Sequence, residues 1–472
     1  MKQPLSSRSR SPRLRFGATS VLGFLASSYC LAACGSEAAS PSTEVPTAAA
    51  TEVDGVPTTS VPLPSSEPTI PSAATTSPAT DDVNPVTMPT DAVTPTPPTS
   101  EPVATQPATD APGPQGDGVF IVENLDRGVV AVPSGNGMYV GWRMLGYEYS
   151  ATDASSVSYN LYRDAELVAN VADSTNYFDA SGTPGARYSV APVIGGLEGA
   201  RSAEQAPWSD VFLRVPLEPP GNTYSAHDAT VADADGDGQY ELFMLWQPSN
   251  SKDNSLSGVT SDVYIDALEL DGTRLWRINL GPNIRAGEHY TQFIVMDVSG
   301  DGRAEMAVKT APGTRDASGN FLSLGPAAND DDSAVYRNSD GYILTGPEYL
   351  TIFDGLTGTE LATVDFDQAR GTVSSWGDSY GNRVDRFLAT AAYLDDSGLP
   401  SFVMARGYYT RSTLAAWNWR DGQLTQLWKF DSNVTPRDSR GEPFTGQGAH
   451  SLAVANVDDD PQEEIIGISA IS

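Results

Sequence analysis

The sequence predicts an all-β fold, a small antiparallel sandwich followed by a longer array of repeated four-stranded antiparallel sheets. Three observations carry this prediction. An Asp/Gly-rich turn between alternating apolar runs occurs four times, first in HDATVADADGDGQYELFMLW at 227–246. Between the copies lies a second recurring hairpin, DVYIDALELDGTRLWRINL at 262–280, EYLTIFDGLTGTELATVDF at 348–366 and STLAAWNWRDGQLTQLWKF at 412–430, each turning at a DG or TG pair. Ahead of the repeats, 118–216 breaks into short β-rich runs between turn formers.

Two hairpins per repeat make a four-stranded sheet, and sheets recurring about every 60 residues suggest the blades of a β-propeller. In the first turn Asp233, Asp235, Asp237 and Glu241 stand at loop positions 1, 3, 5 and 9, with Gly238 at the sharp bend. Alternate oxygens of such a loop converge on one point, which suits Ca²⁺. The second copy places Asp297, Ser299, Asp301 and Glu305 in these positions, and the fourth Asn456, Asp458, Asp460 and Glu464. The third reads Tyr393, Asp395, Ser397 and Ser401, so little or no metal is expected there. The plainer reading is solvated turns, since Asp and Gly form turns readily; carboxylates recurring at the same offsets in three copies favour cages. Residues 311–347 have weak periodicity and read as an inserted loop.

At the N-terminus, basic residues precede the apolar run FGATSVLGFLASSYCLAAC, too short to span a membrane and stay there. Residues 1–33 read as a lipoprotein-type signal, with Cys34 the lipid-bearing first residue of the mature chain; an ordinary cleaved signal is the alternative. Cys30 is the only other cysteine. The mature chain then has no disulfide, and calcium is the expected staple outside the cell. Residues 34–117 are Pro, Thr, Ser, Ala and acid without a Lys or Arg, a composition that buries no core and reads as a disordered linker. In 118–216, VFIVENL, GVVAV, GMYVGWRM, VSYNLYRD, NYFDA, ARYSVAPVIG and DVFLRVPL read as strands of a fibronectin III-like β-sandwich. The repeat region is then 217–472, with Pro216, Pro219 and Pro220 at the boundary.

With 60 acidic against 28 basic residues the formal net charge is −32, which disfavours a nucleic-acid partner. NLDRGVVAVPSGNGMYVGWRMLG at 124–146, NIRAGEHYTQF at 283–293, WGDSYGNRVDRFLATAAYLD at 376–395 and RGYYTR at 406–411 closely resemble rhamnogalacturonan lyases of polysaccharide lyase family 11. The resemblance runs from about Asn124 to the last residue. It implies a secreted bacterial enzyme, monomeric when full length, with a β-domain ahead of an eight-bladed calcium-rich propeller. The activity implied is β-elimination on the rhamnose–galacturonate backbone of pectic rhamnogalacturonan I.

Such an elimination removes the weakly acidic proton beside a galacturonate carboxylate, so it needs a base and a cation that neutralises the carboxylate. His227, His289 and His450, the only histidines, each sit shortly before position 1 of their loop, at the start of the expected first strand. There they could contact a sugar acid, bind a metal or simply cap a strand. Arg285, Lys309, Arg406 and Arg411 are cationic candidates near strand ends, a surface ion pair being the plainer role for each. The family pattern has Asn at His227 and Asp at Gln247, both associated with substrate contact, so these positions are pocket departures.

Two other classes stay open. A non-catalytic calcium propeller for carbohydrate binding or adhesion explains the loops but gives NIRAGEHYTQF and GDSYGNRVDRF no role. A quinone-dependent dehydrogenase propeller explains the DG/TG hairpins but not the aspartates. Since Ser472 follows only the first hairpin of the fourth repeat, while an eight-bladed ring needs about twice as many sheets, the expectation is a fragment or truncated frame, aggregation-prone and nearly inactive. A short form that closes by pairing with a second copy is the alternative.

Overall fold

The computed structural model describes residues 123–148, 157–434, 441–442, 444–446, 448, 450–458 and 460–467. The signal segment, Cys30, Cys34 and the Pro/Thr-rich linker lie outside the described residues. Apart from three single-turn 3-10 helices, the regular structure described is β, and its sheets are antiparallel.

Seven strands form the first module: β1 Val130–Ser134, β2 Gly137–Gly141, β3 Val157–Arg163, β4 Glu166–Val171, β5 Asn176–Asp179, β6 Tyr188–Ile194 and β7 Leu197–Glu198. They make two sheets, ordered β1-β2-β5 and β4-β3-β6-β7. One face of each sheet supplies the shared core: Ala131, Val140 and Trp142 meet Tyr159, Leu161, Tyr188 and Val190. The period-2 alternation of a strand with one buried face is plain in β3. Arg127 donates to the buried Glu148 at 2.5 and 2.7 Å, and Glu148 also accepts from the Leu145 N–H and the Tyr159 hydroxyl, both at 3.0 Å. A buried ion pair is tolerable when its remaining hydrogen-bonding capacity is satisfied in this way.

One expected strand is absent: 210–217 of DVFLRVPL form no ladder, leaving Val211 and Phe212 exposed. Most of the VFIVENL stretch, 119–122, lies outside the described residues, and 123–129 ahead of β1 are irregular. Apolar β-formers alone do not make a strand without an adjacent edge to bond. Two strands escaped notice instead: β4 follows a turn at Asp164 and Ala165, both at positive φ without a glycine, and β7 follows Gly195 and Gly196.

The repeats form three four-stranded meanders and a hairpin. The first contains β8 Tyr224–Ala232, β9 Glu241–Pro248, β10 Tyr264–Leu268 and β11 Arg274–Asn279; the second β12 Phe293–Met296, β13 Glu305–Thr310, β14 Tyr349–Asp354 and β15 Glu360–Asp365. The third contains β16 Phe387–Ala392, β17 Ser401–Arg406, β18 Thr413–Arg420 and β19 Gln423–Asp431; the hairpin pairs β20 Leu452–Ala455 with β21 Glu464–Gly467. Residues 311–347 are an insertion without a named strand, containing one 3-10 turn, as expected.

Successive sheets stack face to face. Phe243, Leu245, Ile265 and Ile278 pack on Met306, Val308 and Phe353, and the opposite face of that second sheet packs Leu350 and Ile352 on Phe402, Met404 and Trp417. The second strands β13 and β17 are buried at every position, the polar Glu305, Lys309, Thr310, Ser401 and Arg406 included. The first strands lie next to one another, β8 by β12, β12 by β16 and β16 by β20. Their two ends carry all the features described next.

Candidate functional site

The Asp-rich loops follow the C-terminal ends of the first strands. Asp233 accepts the N–H groups of Gly236 and Gly238 at 2.7 and 2.8 Å, and Asp297 those of Gly300 and Gly302 at 2.6 and 2.8 Å. Gly236 and Gly238 have φ of 82° and 88°, a left-handed conformation that an L side chain would strain. The position-9 glutamate braces its own loop: Glu241 accepts from Ala234 N–H at 2.6 Å, Glu305 from Val298 at 3.1 Å and Glu464 from Val457 at 2.7 Å. Carboxylate oxygens of Asp233, Asp235 and Asp237 lie within 4.8 Å of one another, as do those of Asp458, Asp460 and Glu464. Burial, reinforced by neighbouring carboxylates, pushes Glu241 and Glu305 up to about 7 and raises Asp233. Crowded, desolvated anions of this kind fit a hard cation, whose charge removes the repulsion. Ser299 donates to Asp297 at 3.4 Å, while Asp301 accepts from Arg303 N–H at 3.0 Å. In the fourth loop Asn456 donates to the Asp460 carbonyl at 2.7 Å.

The third loop supplies protein partners where the others crowd carboxylates. Tyr393 puts a ring at position 1, Asn418 donates to Asp395 at 2.6 Å and accepts from Ser401 at 2.6 Å, and Arg420 donates to the Leu399 and Pro400 carbonyls. Each loop is also tied to the next sheet. The N–H of Ala304, at position 8 of its loop, donates to the Asp233 carbonyl at 2.8 Å, and that of Glu463 donates to the Tyr393 carbonyl at 2.8 Å. The corresponding residue of the third copy is Pro400, which has no N–H; there the Arg420 guanidinium reaches the Val298 carbonyl instead. The first module joins this end through Asp126 N–H, on the Gly238 carbonyl at 2.7 Å, and through Arg143, 4.4 Å above the Tyr240 ring.

The histidines sit at the other end of the first strands. From His227 to Asp233 is six residues of strand, about 20 Å at 3.3 Å per residue. A bulge between Ala226 and Ala229 sets two residues, His227 and Asp228, against one on β9, a device that re-aims a side chain. His227 Nε2 is 3.3 Å from Glu288, the neighbour of His289, and His289 Nε2 is 3.7 Å from Asp253. Arg386 reaches Asp253 at 3.5 Å and lies over Tyr408, whose ring stacks on His450 at 4.5 Å. His289 and His450 have ring centroids 6.3 Å apart, and the Tyr409 hydroxyl bonds His450 Nε2. Arg383 lies 5.7 Å over the Tyr409 ring. Burial first, then the charges of Arg386 and His450, lower the His289 pKa despite Asp253 nearby. Its imidazole is therefore neutral at neutral pH.

Residues 216–472 match the model described as "Rhamnogalacturonan lyase family 11, C-terminal domain", and 121–208 match the "Rhamnogalacturonan I lyases beta-sheet domain". This chain belongs to rhamnogalacturonan lyase family 11. The family 11 chain is 52% identical over 355 residues to the rhamnogalacturonan endolyase YesW of Bacillus subtilis, and 49% identical over 356 residues to the exolyase YesX of the same organism. Each alignment covers 73% of this chain but only 54% and 55% of those proteins, so the chain spans about half the length of the curated relatives it matches. The crystal structure of YesW aligns with a TM-score of 0.66 over 74% of this chain and 59% of that one. The family 11 lyase structure from Bacillus licheniformis aligns at 0.65 with 52% identity, over 74% of this chain and 59% of that one.

The other candidates of the family 11 chain do not join the histidines. Lys309, Arg406 and Arg285 are buried and not surface ion pairs: Lys309 lies 3.2 Å from Glu348, and Arg406 donates to Glu348 at 2.7 Å and Asp385 at 3.0 Å. Burial disfavours the Glu348 anion, yet Arg406, Lys309 and Arg370 hold its pKa well below the usual carboxylate range. Arg285 bonds the Tyr290 hydroxyl and the Leu256 and Gly258 carbonyls. A polymer in solvent does not reach these groups in this arrangement. Arg411 pairs with Asp431 at 2.6 Å and stacks on Trp376, the plainer role allowed for it. Gln247 donates to Ser251 at 3.0 Å. Sequence reasoning passed over Asp253, Glu288, Arg383, Arg386, Tyr408 and Tyr409; the only signal was the family-like stretches that contain most of them.

Proposed function

We propose that this chain acts as a rhamnogalacturonan lyase, cleaving the rhamnose–galacturonate backbone of pectic rhamnogalacturonan I by β-elimination. The observation that carries the reading is the face where a neutral imidazole, His289, stands with Arg386, Arg383, Tyr408, Tyr409 and His450 in a chain of this family. His289, about a quarter exposed, takes the proton beside the galacturonate carboxylate. The C–H electrons form the new double bond, the glycosidic C–O bond breaks, and the departing oxygen collects a proton. Arg383 offsets the charge that grows on the carboxylate, and the exposed Tyr409 supplies a flat wall for the sugar rings. His227 and Gln247 border the same end of β8 and β9 and tune substrate preference.

On the same reading the stacked meanders are blades of a calcium-binding β-propeller, eight in the family ring, preceded by a sandwich of fibronectin type III kind. The support is the shared arrangement of first strands side by side with sheets packed face to face. The loops at Asp233, Asp297 and Asn456 hold Ca²⁺, which supplies charge neutralisation between the sheets. Cys34 carries a lipid that keeps the protein at the cell surface, and no nucleic acid is a partner. The experiment is direct: the protein with calcium is mixed with rhamnogalacturonan I and ultraviolet absorbance of the unsaturated uronate is followed, with viscosity reporting endo against exo cutting. Binding without any absorbance change would instead favour a non-catalytic carbohydrate-binding role.

A further inference from the structure

A small cavity among buried cations is left unused by the proposed lyase chemistry. It is lined by Asn283, Ile284, Arg285, Tyr290, Lys309, Ile343, Arg370 and Asp385, with room for about one water-sized occupant. Its charge does not balance. Among the described residues Lys309, Arg370 and Arg406 pair with Glu348 and Asp385, Arg285 pairs with no carboxylate, and all six side chains are buried.

The imbalance centres on Arg285, which is 2% exposed and whose bonds among the described residues go only to neutral acceptors, the Tyr290 hydroxyl and main-chain carbonyls. Burial pushes the Tyr290 phenol well above its ordinary pKa, so it stays protonated and provides no countercharge. Since it accepts from Arg285, its own proton is left for a further acceptor. Two more donors are unspent: the Nε groups of Arg285 and of Arg370, itself 6% exposed, have no hydrogen-bond partner among the described residues, and Asp385 stands 3.8 Å from Arg370 Nε. Lys309 has three donors and one carboxylate 3.2 Å away. An uncompensated buried guanidinium is strongly destabilising, and a neutral water does not cancel its charge. A cation is repelled, and a sugar carboxylate is too large.

We propose that this cavity is a structural halide site that takes one chloride ion, held by Arg285, Arg370, Lys309 and the Tyr290 hydroxyl. The test uses the full chain with calcium fixed, exchanged into gluconate and melted in gluconate, sulfate, chloride or bromide at equal ionic strength. Chloride and bromide raise the melting temperature saturably by at least about 2 °C, gluconate and sulfate do not, and Arg285→Met removes the difference. Should that variant fail to fold, wild-type crystals soaked in bromide decide. An anomalous peak within hydrogen-bonding distance of Arg285 and Arg370 supports the site. Its absence, or a rise that sulfate reproduces, overturns it.

Discussion

Replacing Asp233 with alanine isolates what the first loop contributes. The side chain is fully buried and its two oxygens each take a backbone N–H, from Gly236 at 2.7 Å and Gly238 at 2.8 Å. Asp233→Ala strands both donors in a site with little water, at about 1–3 kcal/mol each. If the loop holds Ca²⁺ as proposed, the change also removes its ligand at position 1. The expected loss with calcium present is therefore about 2–6 kcal/mol. For a module of this size that lowers the melting temperature by about 5–15 °C. In chelator the loss is smaller, because deleting one of several crowded carboxylates relieves repulsion that the cation otherwise screens. Scanning calorimetry of both proteins, with calcium and with chelator, measures all four states. Equal melting of mutant and parent, with neither responding to chelator, would refute the reasoning and make the loops ordinary turns.

Three further outcomes are expected. Glu241 and Glu305 have folded-state pKa values raised to about 7 from 4.5, so their contribution is fully present below pH 4.5 and lost as pH rises through 7. In chelator the melting temperature falls over that window, and saturating calcium, by favouring the ionised forms, flattens the slope in a pH series. His289→Ala lowers lyase kcat by about 10²–10⁴-fold, and because its pKa is depressed the acid limb of the parent's rate profile lies below pH 6.5; unaltered turnover would remove it as the base. Arg406→Met deletes the buried bonds to Glu348, Asp385 and the Val384 and Gln368 carbonyls and costs about 3–5 kcal/mol in urea unfolding, whereas a surface pair would cost less than about 1.

The repeats were legible because their signals are local. Period-2 alternation and DG or TG turns fixed the hairpins β10–β11, β14–β15 and β18–β19, and carboxylate spacing fixed the loops. The sandwich was legible only in part: the turn at Asp164 and Ala165 takes positive φ without glycine, and 210–217 has strand composition but no neighbour to bond. The site divides along the same line. Histidines at the start of first strands were visible as a pattern. Their partners Asp253, Arg386 and Tyr408 come from separate loops, and only the stacking of the sheets brings them together. Burial of Lys309 and Arg406 depends on the neighbouring sheet, which no local window contains.

The ties from each loop to the following sheet make the array a line of neighbours, each of which completes the one before it. Where Pro400 breaks the sequence of backbone ties, Arg420 restores it with a side chain. A sheet that opened alone would forfeit a hydrogen bond belonging to its predecessor as well as its own packing, so opening is penalised at both borders. Such nearest-neighbour coupling makes opening one repeat alone costlier than the loss of its own packing. For the histidine face, assembled from the entrances of four separate first strands, the same coupling opposes the separation of its side chains.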